Sequence, residues 1–130
     1  MKLARSNAII SIPTDEDLTG KEGQFIRMSS NTAIALIDAA TVIPLGLLLT
    51  EGIVGDQVSI ALSAGGLAGT VRVKLAGTVY IGSRLQLTAD GRVIEDLGEL
   101  ARVIVGVAVE GGVAGEYVEA VLCNPVSYAS

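Results

Sequence analysis

Asp15, Glu16 and Asp17, between Thr14 and Gly20, form the first group of side chains able to do chemistry, since clustered carboxylates are what a hard cation such as calcium requires. The run lacks the glycine and the distant glutamate of an EF-hand loop. It reads instead as a solvated turn, with the Thr14 hydroxyl capping one turn of helix and the acids favoured at its N-terminus. Glu95, Asp96 and Glu99 are the second group, and paired carboxylates are the usual means of general acid-base work. They fall in a local polar bend with no base beside them. Cys123, the sole cysteine, ends an apolar stretch without a partner for a disulfide or a zinc site, so it reads as a buried, inert thiol. The chain has no histidine, the commonest general base and metal ligand, and neither Ser-x-x-Lys nor Gly-x-Ser-x-Gly occurs. Ser63-Ala-Gly-Gly-Leu-Ala-Gly69 has neither dinucleotide-binding nor Walker spacing and reads as a flexible connection. The expectation is a protein that is not an enzyme, with no catalytic residue, no cofactor and no metal.

The elements that would position any site are β-strands. Val103 to Leu122 sets a β-branched, almost wholly apolar run before a glycine turn, and then an arm alternating Tyr117, Glu119, Val121 with Val118, Ala120, Leu122. That is a hairpin, its first arm covered on both faces. A shift of sixty positions repeats it: Gly46 falls on Gly106, Gly52 on Gly112, Gly55 on Gly115, Val58 on Val118 and Leu62 on Leu122. Weaker echoes lie upstream, with Gln24-Phe25-Ile26 on Arg84-Leu85-Gln86, Ser30-Asn31 on Asp90-Gly91 and Ile34 on Ile94. The six glycines are read as turn and packing positions, where positive φ or a close approach excludes a side chain. The predicted fold is all-β: a compact β-sandwich or β-barrel built from two related β-hairpin units, about 18–63 and 78–123, within one domain at 15–123. The glycine-rich connection 64–69 joins the units. Thr70 to Leu75 alternates as a strand, Asp90-Gly91 suits a type I′ hairpin turn, and Asn124-Pro125 is expected to end the ladder before a tail at 124–130.

Residues 1–14 read as an extended N-terminal arm containing one apolar alternation, Ala8 to Pro13. Two readings are open: an edge strand of the chain's own sheet with a loose start, or an arm adding a strand to another chain. Ile9, Ile10 and Ile12 are costly to leave in water, at about 1.5 to 3 kcal/mol for each side chain buried instead.

At 130 residues the chain can bury a real core, and its size fits one domain. Half the residues are apolar but only Phe25, Tyr80, Tyr117 and Tyr128 are aromatic, so that core is aliphatic. The mean hydropathy of +0.58 is high, yet the longest uncharged apolar stretch, Ala39 to Thr50, holds Pro44 and Gly46 and falls short of the roughly 18 residues a membrane helix needs. Polar Ser6, Asn7 and Ser11 break up any secretory leader. Apolar excess in a chain with no membrane partner points to burial against other subunits, and so to a homo-oligomer. Nine basic against fourteen acidic residues, net charge -5, oppose attraction to phosphate backbones, so nucleic acid is not expected as a partner.

Several stretches, taken in order, resemble the small capsid cement, or head decoration, proteins of tailed bacteriophages: Asp17-Leu-Thr-Gly-Lys-Glu-Gly-Gln-Phe-Ile-Arg27, Gly82-Ser-Arg-Leu85 with Asp90-Gly91, Val105-Gly-Val-Ala-Val-Glu110, and Ala114-Gly-Glu-Tyr-Val-Glu-Ala-Val-Leu122. The similarity spans most of Leu18 to Leu122. It implies a β domain, commonly trimeric, on the outer surface of the virion head, made in the host cytoplasm, binding the major capsid protein and stabilising its lattice. It also implies capsid engagement through the N-terminal arm, here Ala8, Ile9, Ile10, Ile12 and Pro13. The alternative from another class is a small-ligand or glycan-binding β-barrel module, disfavoured by the shortage of aromatic side chains. A co-chaperonin-like ring would need a longer apolar loop than Ala61 to Thr70.

Overall fold

The computed structural model describes residues 9–63 and 69–129. Its regular elements are all strands, in two five-stranded antiparallel sheets. In the N-terminal unit β1 (Ile9–Pro13), β2 (Phe25–Met28), β3 (Ile34–Leu36), β4 (Gly46–Leu48) and β5 (Gln57–Leu62) lie in the order β1-β5-β4-β2-β3. In the C-terminal unit β6 (Val71–Lys74), β7 (Arg84–Leu87), β8 (Val93–Glu95), β9 (Arg102–Ala108) and β10 (Tyr117–Tyr128) lie in the same order, β6-β10-β9-β7-β8.

From Gly46 onward the repeat is structural down to single hydrogen bonds, but upstream the match slips by one residue: Ile26 pairs with Gly46 as Leu85 with Gly106, and Ile34 corresponds to Val93, not to Ile94. Gly46 pairs with Leu62 and Gly106 with Leu122. Leu18 N–H donates to Gly52 C=O at 2.7 Å, and Val79 N–H to Gly112 C=O at 2.9 Å; Gly55 N–H reaches Thr14 C=O at 2.8 Å, and Gly115 N–H reaches Leu75 C=O at 2.9 Å. Each sheet rolls until its edge strands touch, through single parallel bridges Thr14 to Ile34 and Leu75 to Val93. The fold is therefore a β-sandwich of two rolled sheets, each partway to a barrel.

Each unit begins one strand earlier than the glycine pattern indicated. β1 is the counterpart of β6, both packing antiparallel on the last strand of their units: Ile12 faces Val58 as Val73 faces Val118. Residues 9–13 thus belong to the chain's own sheet, the first of the two readings of that segment. Ala8 and the rest of the arm, most of the connection (64–68), and Ser130 lie outside the described residues.

Three local expectations are corrected. No helix turn follows Thr14; its hydroxyl instead accepts the Glu16 amide (3.2 Å) and donates to Glu16 C=O (2.9 Å), an in-chain turn that replaces a cap. The Asp90-Gly91 turn is not type I′, which needs positive φ at both residues; only Gly91 has it, at 87°. Asp90 is held by its side chain, which accepts from Thr88 Oγ1 (2.7 Å) and Arg92 Nε (2.8 Å). Nor does the ladder end at Pro125. β10 resumes beyond a bulge, with Val126 opposite Ile104 and Tyr128 opposite Arg102, because a residue without an N–H is tolerated where no ladder bond is required.

Aliphatic side chains fill both units. Leu18, Ile26, Ile34, Leu48, Val58 and Ile60 close the N-terminal interior. The C-terminal interior is larger, because the outer face of the first sheet (Phe25, Leu47 and Ala61) joins its core alongside Val73, Leu87 and Val105.

Candidate interaction surfaces

The acidic groups are placed apart. Asp15 accepts from the Ser29 hydroxyl, Glu16 from the Leu36 amide, and Asp17 from the Thr19 amide (3.0 Å) and hydroxyl (2.6 Å). The Thr19 hydrogen bonds hold the Asp17 carboxyl below its usual range. Three duties in three turns leave no shared focus for a cation. Among the described residues no group of three or more His, Cys, Asp or Glu is placed to hold a metal ion.

Glu95 and Asp96 diverge as well. Glu95 accepts from Ser83 Oγ (3.0 Å), while Asp96 accepts from the Gly98 amide (2.9 Å) and Arg102 Nε (2.7 Å), and its carboxyl is lowered first by that amide and then by Arg102. Burial pushes the Cys123 thiol up, away from the reactive thiolate, and its Sγ lies 3.9 Å from Ile104 C=O.

Sequence reasoning missed the cluster that Asp96 anchors. The guanidinium of Arg102 stacks 4.4 Å from the Tyr128 ring centre, that of Arg84 lies 5.6 Å from it, and Arg84 Nη2 donates to Tyr128 Oη at 2.9 Å. Two cations over one ring pin the end of β10 to β7 and β9. The ladder's continuation past Pro125 brings Tyr128 there, so no local pattern announced it.

The repeated glycines sit where side chains are excluded. A Cβ on Gly106 would lie 2.5 Å from Val121 C=O, and one on Gly46 would strike Ala61 C=O in the same way. At Gly52 and Gly112 the obstacle is the following valine, Val58 Cγ1 at 2.8 Å and Val118 Cγ1 at 2.7 Å. Gly55 and Gly115 have φ of 92° and 89°.

Exposed apolar side chains lie on the loops of both units, Ile43, Ile53 and Val54 in the first and a larger set in the second. Tyr80 (64% exposed) and Ile81 (76%) form a turn whose Tyr80 amide donates to Ser83 Oγ, the same hydroxyl that donates to Glu95. This sets the turn beside the loop that follows Glu95, where Leu97 and Leu100 are also exposed. Leu100 has φ of 65°, unique among the described non-glycine residues. A left-handed backbone costs roughly 1 to 3 kcal/mol outside glycine, and here it holds an apolar side chain in water. Of the expected capsid-binding residues, Ile10 and Ile12 are partly buried against the N-terminal core, and Ile9 and Pro13 lie on the same strand.

A shallow hollow where the units meet is lined by Glu22, Gly23, Leu48, Leu49, Arg72 and Tyr117. Tyr117 Oη donates to Glu22 C=O at 3.1 Å, so its one aromatic wall is already engaged in joining the units. Aliphatic side chains fill the interiors of both units among the described residues.

No protein-family model and no curated protein matches the sequence. Among solved structures, the fold is similar to the head fiber gp8.5 N base in bacteriophage phi29, with a TM-score of 0.66 and 15% identity, covering 89% of this chain and 93% of that one.

Proposed function

We propose that this chain is a structural virion protein that seats on the outside of a bacteriophage head and stabilises the lattice of the major capsid protein, without enzymatic activity. The observation that carries the reading is the likeness of fold, over nearly the whole of both chains, to a protein described as the base of a phage head fiber. Three further features support it. Asp15, Glu16, Asp17, Glu95, Asp96 and the thiol have separate hydrogen-bond partners. The net charge of -5 suits a surface turned away from packaged nucleic acid. The exposed apolar loops give a partner protein something to cover.

We assign the shell contact to the Tyr80-Ile81 turn and the neighbouring Leu97 to Leu100 loop. β1 is the weaker assignment, because its main chain is already paired with β5. The test is occupancy on purified heads that lack their own copy. Wild-type protein should saturate the heads, Ile81→Ser with Leu100→Gly should bind at least tenfold more weakly, and a chain without residues 2–8 should bind as wild type. Full occupancy by the double variant with loss by the truncated chain would return the contact to the N-terminal segment, and no binding by wild type would overturn the virion reading.

A further inference from the structure

The duplicated fold uses one junction and leaves its twin open. Inside the chain the outer face of the first sheet packs into the rim of the second unit: Phe25, Leu47 and Ala61 are fully buried, and the rim residues Val73 and Val105 are buried with them. Strand register fixes the counterparts. Phe25 pairs with Leu47 and Leu47 with Ala61, as Arg84 pairs with Val107 and Val107 with Val121. Yet Val107 and Val121 are 39% and 42% exposed. On the rim, Ile10, Ile12 and Leu45 of the first unit correspond to Val71, Val73 and Val105 of the second, and they are only partly covered where their counterparts are buried. One chain therefore carries a complete junction in its middle and, at its two ends, the two complementary halves of another.

We propose that a second copy of this chain completes it: the outer face of one copy's C-terminal sheet packs on the N-terminal rim of the next, head to tail. Pairing like faces would cover Val107 and Val121 but leave the rim exposed, whereas the head-to-tail contact covers both, and such heterologous contacts close into rings when the rotation allows. Two details make this junction looser than the internal one. Lys74 N–H donates to Gly23 C=O across the units at 2.9 Å, but its counterpart Pro13 has no N–H. Gly91 fits against the Phe25 backbone, where a Cβ would lie 2.6 Å from Phe25 C=O, and its counterpart by register, Thr32, carries one. The assembly should therefore dissociate on dilution. The inference stands on the repeat alone and does not depend on the virion reading.

Light scattering after size exclusion of the full chain tests it. At tens of micromolar, wild type should elute above the 13.3 kDa monomer. Val121→Lys, which spoils the outer face, and Ile12→Lys, which spoils the rim, should each be monomeric, and an equimolar mixture should give a heterodimer through the one intact pair of surfaces. A monomeric wild type, either variant keeping the wild-type mass, or a mixture that stays monomeric would overturn the proposal. Should Ile12→Lys fail to fold, hydrogen exchange on wild type decides: dilution to monomer should deprotect β1 together with β9 and β10 and leave β6 unchanged, while loss confined to β9 and β10 would mean like-face pairing.

Discussion

At Gly106 the difference between a paired strand and a blocked one is a single methyl group, because the Val121 carbonyl occupies the place a Cβ would take. Gly106→Val should lower stability by about 1 to 3 kcal/mol through overpacking, read from denaturant midpoints; an unchanged midpoint would mean that the strands can part there at no cost. The glycine positions were legible because the sequence states them twice, at the same spacing. The side-chain duties of the acids were not. Asp96 looked like half of a carboxylate pair, but its partners come from a turn two residues on and from β9, which no spacing rule connects. Its folded-state pKa lies below the unfolded value, held down by the Gly98 amide and then by Arg102. The stability it contributes is therefore present above the ordinary carboxylate pKa of about 3.9 and is lost as pH falls through the depressed folded value. Asp96→Asn should flatten that part of the acid limb in urea midpoints measured against pH. An acid limb identical to wild type would show that Asp96 adds nothing to it.

Among elements, the alternating and apolar runs were enough to find the strands, because a period of two survives any change of partner. Partners were harder to read. β1 and β6 share only an apolar alternation, Ile10 and Ile12 against Val71 and Val73, with no glycine to mark them as equivalent, so β1 looked detachable. As an edge strand whose Ile10 and Ile12 pack on the N-terminal core, it should not be dispensable. Removing residues 2–12 should unfold or strongly destabilise the N-terminal unit, seen as loss of amide protection in β5, whereas removing residues 2–8 should not. A fully protected β5 after the longer deletion would show that the other four strands suffice. The loop after β8 gives the opposite case: Leu100→Gly relieves a left-handed backbone, so it should hold or raise the melting temperature while it weakens binding to heads. A fall in melting temperature would mean that the leucine packs where the structure shows it exposed.

For the molecule as a whole, the shared core decides how the halves behave. Phe25 belongs to the first sheet but is buried in the interior of the second, so Phe25→Ala should cost about 3 to 5 kcal/mol and should still melt the chain in one transition, with both units losing amide protection together. If the C-terminal unit kept its protection after the N-terminal one had melted, the units would be independent domains. The division into two related units was visible in the sequence, but their asymmetry was not, because Phe25 and Arg84 fall at equivalent places and nothing local says which face another unit will cover. That asymmetry also bears on how the protein is made. The N-terminal half leaves the ribosome first, with Phe25, Leu47 and Ala61 facing water until β6 to β10 have been synthesised and folded over them. For that interval the nascent chain displays an uncovered aliphatic face, the kind of surface that recruits chaperones or joins a neighbouring nascent chain. The step most exposed to misassembly is thus the arrival of the second half on the first.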